Sequence, residues 1–197
     1  MIIREGGLLF TFGKGWIVKK YDQHRYYRGL SGAGLKGVDF ICLRDRQELV
    51  LIEVKNYTSR HNYAMQKTFL VNTIPPDELA LTVQQKLTDT LLAIDAVYQY
   101  YRRGWIFRQL QPLIRYWPWS SFDRYFWTKA YQLAQSPTTV KAILWLELDA
   151  DDPKDYITQL DIQLSRYTND GLPKIKITNG DNLPFDEAIV AHRILEN

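Results

Sequence analysis

The feature that most constrains this chain is one stretch of eighteen residues, ten of them apolar, broken in the middle and punctuated by charge. It reads Val38-Asp39-Phe40-Ile41-Cys42-Leu43-Arg44, then Asp45-Arg46-Gln47, then Glu48-Leu49-Val50-Leu51-Ile52-Glu53-Val54-Lys55. Two apolar stretches of strand length, joined by so short a polar link, are satisfied most directly as an antiparallel hairpin. Asp39, Glu53 and Lys55 are the exceptions inside or at the ends of these strands. A carboxylate buried among apolar side chains is costly unless a cation or hydrogen bonds compensate it. Residues two apart on a strand point to one face, so Glu53 and Lys55 should lie together, about 7 Å apart along the chain. Neighbouring strands run about 4.8 Å apart, which allows Asp39 to come beside Glu53.

Two carboxylates and one main-chain carbonyl, offered by Val54, make a donor set suited to Mg²⁺ or Mn²⁺, hard cations that prefer oxygen. The Lys55 ammonium could then orient or deprotonate an attacking water, or neutralise a phosphate transition state. A second reading stays open at this point: Asp39 caps a strand, and Glu53 and Lys55 form an ordinary same-face pair at an exposed edge.

Around the hairpin the pattern predicts an α/β chain with a single mixed β-sheet flanked by helices. Trp16 to Tyr27 reads as a strand, and Gly29 to Gly37 as a flexible glycine-rich connection. Pro75-Pro76-Asp77-Glu78 signals a helix start. Leu79, Val83, Leu87, Leu91, Ile94 and Tyr98 then recur at helical spacing to about Arg103. A helical, aromatic-rich insertion is expected at about 104–136, where Pro112 and Pro118 interrupt the pattern. Val140 to Leu148 reads as a strand buried on both faces, Pro153 to Tyr167 as a helix, Pro173 to Thr178 as a strand, and Asp186 to Leu195 as a closing helix. One domain over residues 1–197 is the economical organisation.

The hairpin carrying Asp39, the Glu53-Val54-Lys55 signature, the helix after it and the apolar strand after that resemble the PD-(D/E)xK, or restriction-endonuclease-like, nuclease superfamily. The glycine-rich lead-in before Asp39 is similar to that of archaeal Holliday-junction resolvases within it. The resemblance implies a restriction-endonuclease-like core and a metal-dependent endonuclease hydrolysing phosphodiester bonds, with DNA as the expected substrate. By match to the motif, Asp39 and Glu53 would ligate metal and Lys55 would be the catalytic lysine. Val38 stands where the motif has proline, and the helical acid that many members carry has only Glu5 as a counterpart, a residue expected to be a solvated terminal one. Gln84 and Gln85 fall on the helix where some relatives carry a site glutamine. The alternative from a different class is a nuclease-like fold that binds nucleic acid or assembles with partners and cleaves little or nothing.

Charge supports a polyanionic partner by its distribution rather than its sum. Net charge is +3, yet Lys14, Lys19, Lys20, Arg25, Arg28 and Lys36 face only Asp22 in one segment, and Arg102, Arg103, Arg108, Arg115, Arg124 and Lys129 face only Asp123 in another. Lys19, Lys20, Lys36, Arg103, Arg108 and Arg115 are therefore the candidate phosphate contacts. Tryptophan, tyrosine and phenylalanine interleave with arginine from Trp105 to Trp127. Such mixing suits base stacking, although aromatics at this density more often build a core or a homodimer interface. No membrane-spanning stretch and no secretory leader are read. The lone Cys42 lies in an apolar run, as a structural thiol in a reducing, cytoplasmic setting would. His24, His61 and His192 lack zinc-ligand spacing.

Overall fold

A computed structural model describes residues 1–32, 34–58, 60–62, 67–69, 72–103, 123–149, 153–167, 172–179 and 189–193. The chain is a mixed α/β protein. It divides into two compact units, one of Met1–Lys14, Ile52–Gln84 and Ala142–Asn197, the other of Gly15–Leu51 and Gln85–Lys141.

In the first unit, β1 (Ile2–Glu5) and β2 (Leu8–Phe12) form a hairpin with Glu5 opposite Leu8. Its loop is Gly6-Gly7, with φ of 56° and 79°. Two consecutive positive φ values match the right-handed strand twist, which is why glycine fills both places. β10 (Ile189–Arg193) pairs antiparallel with the other edge of β2. The closing segment is thus a strand over these residues and not the expected helix. Its amides find partners on β2 and Ile189 is wholly buried, so tertiary pairing overrides a weak helical pattern. Glu5, expected as a solvated terminal residue, is a half-buried strand residue whose Oε1 accepts the Gly6 amide at 3.1 Å.

β8 (Val140–Leu148) is buried along most of its length. It pairs in parallel with β9 (Ile175–Thr178), Ala142 facing Ile175. A parallel pair needs a crossover, which the helix Pro153–Tyr167 supplies, burying Leu160 and Leu164. Phe10 meets Trp145 edge-on at 5.1 Å in this core. Arg60–Asn62 and Lys67–Phe69 form β6 and β7, a separate two-stranded ladder.

In the second unit, β3 (Trp16–Lys20) pairs antiparallel with β4 (Phe40–Arg44). The strand expected to reach Tyr27 stops at Lys20. The His24 amide donates to the Tyr21 carbonyl at 3.0 Å, turning the chain. Helix α1 (Arg25–Gly32) follows, with His24 Nδ1 accepting the Tyr26 amide at 3.5 Å, as an N-cap acceptor does. Half of the expected flexible glycine-rich link is therefore helical. Its far end is held as well: a Cβ on Gly37 would lie 2.2 Å from the buried Tyr21 ring.

The hairpin that opened the sequence argument is present, with β5 spanning Glu48–Tyr57. Asp45 and Arg46 take φ of 49° and 60°, and the Gln47 amide donates to the Arg44 carbonyl at 3.0 Å. The strand order of the main sheet is β3-β4-β5-β8-β9. Instead of one mixed sheet there is this one together with the β1-β2-β10 and β6-β7 sheets. Helix α2 runs Pro76–Arg102 with Asp77 and Glu78 in its first turn, where acids complement the helix dipole. Of the expected helical insertion, Asp123–Ala134 is a helix, here α3; residues 104–122 lie outside the described residues. The crossover helix Pro153–Tyr167 is α4. Among the described residues no helix is long and apolar enough to cross a membrane.

Candidate functional site

β5 is buried from Leu49 to Val54, and Glu53 lies within that stretch at 0% exposure. The apolar alternatives at its neighbours, Leu51, Ile52 and Val54, explain the strand; they do not explain a carboxylate. One group that compensates it is Lys55 on the same strand face, whose Nζ lies 3.0 Å from Glu53 Oε1. The lysine side chain keeps 25% exposure, while the carboxylate it meets keeps none. The pair is a same-face pair, as either sequence reading required, but not one at an exposed edge.

The period of two carries the face one step further, to Tyr57. Burial, then the charges of Glu53 and Glu78, push its phenol up from the ordinary value, so it stays protonated and can donate. Tyr156 of α4 lies near enough to couple to Tyr57. Burial first, and that neighbour second, push it up to about 12. The Tyr156 hydroxyl donates to the Ile74 carbonyl at 2.7 Å and so ties α4 to the lead-in of α2. Glu53, Lys55, Tyr57, Glu78 and Tyr156 all belong to the first unit. Val54 and Asn56 face the other way. Asn56 Nδ2 donates to the Gly6 carbonyl at 2.8 Å, and a Cβ on Gly6 would lie 3.3 Å from Val54 Cγ1. The turn next to Glu5 therefore packs on the face of β5 opposite Glu53.

Asp39 belongs to the second unit and stands half-buried immediately before β4. Its carbonyl accepts the Tyr21 amide at 2.9 Å, and the Val38 amide before it donates to Thr90 Oγ1 of α2 at 3.0 Å. Backbone on both sides of Asp39 is thus held by buried groups. Among the described residues no group of three or more histidine, cysteine, aspartate or glutamate side chains comes together to hold a metal ion. Gln84 is half-buried on α2, and the exposed Gln85 accepts Lys36 Nζ at 3.4 Å.

The candidate phosphate contacts differ in what they touch. Lys19 Nζ meets Asp123 Oδ1 at 2.5 Å and lies 5.7 Å over the Phe126 ring. Lys20 is 3.9 Å from Asp22. Lys36 and Arg103 are exposed, and Arg108 and Arg115 lie outside the described residues, as does the aromatic run from Trp105 to Trp127 up to Phe122. Cys42 is fully buried and burial pushes its thiol well up, which fits a structural thiol.

Tyr57 was findable in the sequence, because it is simply the next residue on the Glu53 and Lys55 face. Glu78 and Tyr156 carried no such signal; they reach this neighbourhood only through the folding of distant segments.

No protein-family model matches the chain, and neither a curated protein nor a solved structure matches it.

Proposed function

We propose that the protein is a divalent-metal-dependent nuclease that hydrolyses phosphodiester bonds, with DNA as its expected substrate. The observation carrying this reading is a wholly buried carboxylate, Glu53, held 3.0 Å from the ammonium of Lys55 at the end of an apolar strand. Fold stability does not call for such a pair, since apolar residues of similar size usually serve as well or better. The Glu53 carboxylate and the Val54 carbonyl are oxygen donors that suit Mg²⁺ or Mn²⁺, so the residues present fit such a cation. Asp39 enters as the second carboxylate from the motif in the sequence. When bound, the cation supplies Lewis-acid polarisation of a phosphoryl oxygen. Lys55 places a positive charge beside the anionic centre and can orient the attacking water. The protonated Tyr57 offers a neutral donor on the same face.

The test is incubation of the purified protein with labelled single-stranded, duplex and branched DNA and with RNA, in Mg²⁺, Mn²⁺ or EDTA. Metal-dependent cleavage is expected, and Glu53→Gln abolishes it while the thermal melt stays cooperative. That variant keeps the side-chain shape and leaves Lys55 a polar partner. No cleavage of any substrate with either metal would replace this reading with that of a binding module.

A further inference from the structure

The second unit carries an aromatic cluster that its core does not need in full. Trp127 on α3 is wholly buried and forms the floor. Tyr26 on α1 packs on it edge-on, with ring centroids 6.2 Å apart. Tyr26 in turn lies 5.9 Å from Tyr100 and 5.7 Å from Tyr101, both near the end of α2, and those two rings are 5.9 Å apart. Burial decreases outward through this stack. Tyr26 and Tyr101 are half-buried, and Tyr100 keeps 65% exposure. Tyr100 therefore adds little to the core, yet its position is set by the rings behind it.

The charges around it are cationic. Arg124 places its guanidinium 5.5 Å over the Tyr101 ring. Arg102, the last residue of α2, and Arg103, just past its end, are exposed; the Arg103 amide still donates to the Gln99 carbonyl at 3.2 Å, which keeps Arg103 on the helical path three residues from Tyr100. The nearby acids are engaged: Asp123 meets Lys19 and lies 3.4 Å from His24 Nε2, while Asp95 Oδ1 accepts Gln99 Nε2 at 3.2 Å.

We propose that this face of the second unit binds single-stranded nucleic acid, a base stacking on Tyr100 while Arg103 and Arg124 meet the adjoining phosphates. Aromatic faces set among arginines recognise unpaired bases, because every base has a π face and the backbone supplies the charge. In a duplex the base faces are already covered by their neighbours, so the exposed ring has nothing to stack on. The inference takes from the proposed activity only that the ligand is a nucleic acid; it names the form of that ligand.

The test is fluorescence anisotropy with labelled oligo-dT, oligo-U and a blunt duplex, in EDTA so that no cleavage intervenes. Single strands are expected to bind more tightly than the duplex, and the two oligonucleotides distinguish DNA from RNA. Tyr100→Ala weakens single-strand binding by roughly 5- to 150-fold, whereas Tyr100→Phe, which keeps the stacking face, retains it. Arg103→Gln lowers the slope of log affinity against log salt by about 0.7, one single-strand phosphate contact. Absence of single-strand binding, or equal binding by wild type and Tyr100→Ala, overturns the proposal. So does Phe behaving like Ala. A protein that binds in this way but cuts nothing would defeat the nuclease reading and leave this one standing.

Discussion

Two ion pairs of the hairpin strands invite comparison. Arg44 Nη1 and Glu48 Oε2 are 3.1 Å apart across the β4–β5 turn, and Lys55 Nζ and Glu53 Oε1 are 3.0 Å apart along β5. The distances in space are nearly the same, at sequence separations of four residues and two. Exposure differs at the carboxylate: the first pair keeps 28% and 29% and Lys55 keeps 25%, while Glu53 keeps none. In the wet pair, water would solvate either charge left alone, so the pair contributes little. In the second, the carboxylate is cut off from water, and Lys55 is one of the groups that compensate its charge. Equal geometry thus carries unequal energy, and the buried pair is the one a fold would not retain for stability.

The largest effect should come from breaking the buried pair. Lys55→Ala leaves the Glu53 charge with much less compensation and should lower unfolding free energy by about 3–5 kcal/mol in urea. The double variant Glu53→Gln, Lys55→Met should recover most of that loss. A loss below about 1 kcal/mol for Lys55→Ala would remove the distinction between the pairs.

A smaller effect sharpens the comparison on the same side of the molecule, where the buried groups are neutral. Tyr156 has its phenol raised to about 12 in the fold against an ordinary value near 10. Between those pH values the folded state holds a proton that the unfolded state has lost, so stability must fall as pH rises. It is fully present below about pH 10 and is lost as pH passes through about 12. Tyr156→Phe should flatten that alkaline fall, and at neutral pH should lose about 1 kcal/mol with the bond to the Ile74 carbonyl. Unfolding midpoints of both proteins at neutral pH and across the alkaline range check this; identical alkaline slopes would count against it. The smallest effect is Arg44→Gln. Urea unfolding should show a change of less than about 1 kcal/mol, diminishing further with added salt.

The hairpin, the long helix from Pro76, the buried strand from Val140 and the helix from Pro153 were all legible, because each is marked by its own residues. Proline and acids open the helices, apolar runs fill the strands, and Asp45-Arg46-Gln47 makes the turn. The misread segments were those whose neighbours decide. Tyr26 belongs to a helix because the chain turns at His24, where a side-chain nitrogen caps it. Ile189–Arg193 is a strand because β2 offers it an edge.

By itself, then, the sequence determined where the charged residues interrupt apolar strands, and that Glu53 and Lys55 share a face, since alternation along a strand is a property of the backbone. Tertiary structure alone decided that Glu53 is wholly buried while Glu48, five residues earlier on the same strand, is not. It decided as well that Tyr57 lies in the field of Glu78 and that Tyr100 stands exposed on a floor of buried rings. Burial and electrostatic environment depend on which distant segments arrive overhead, and no local spacing encodes that.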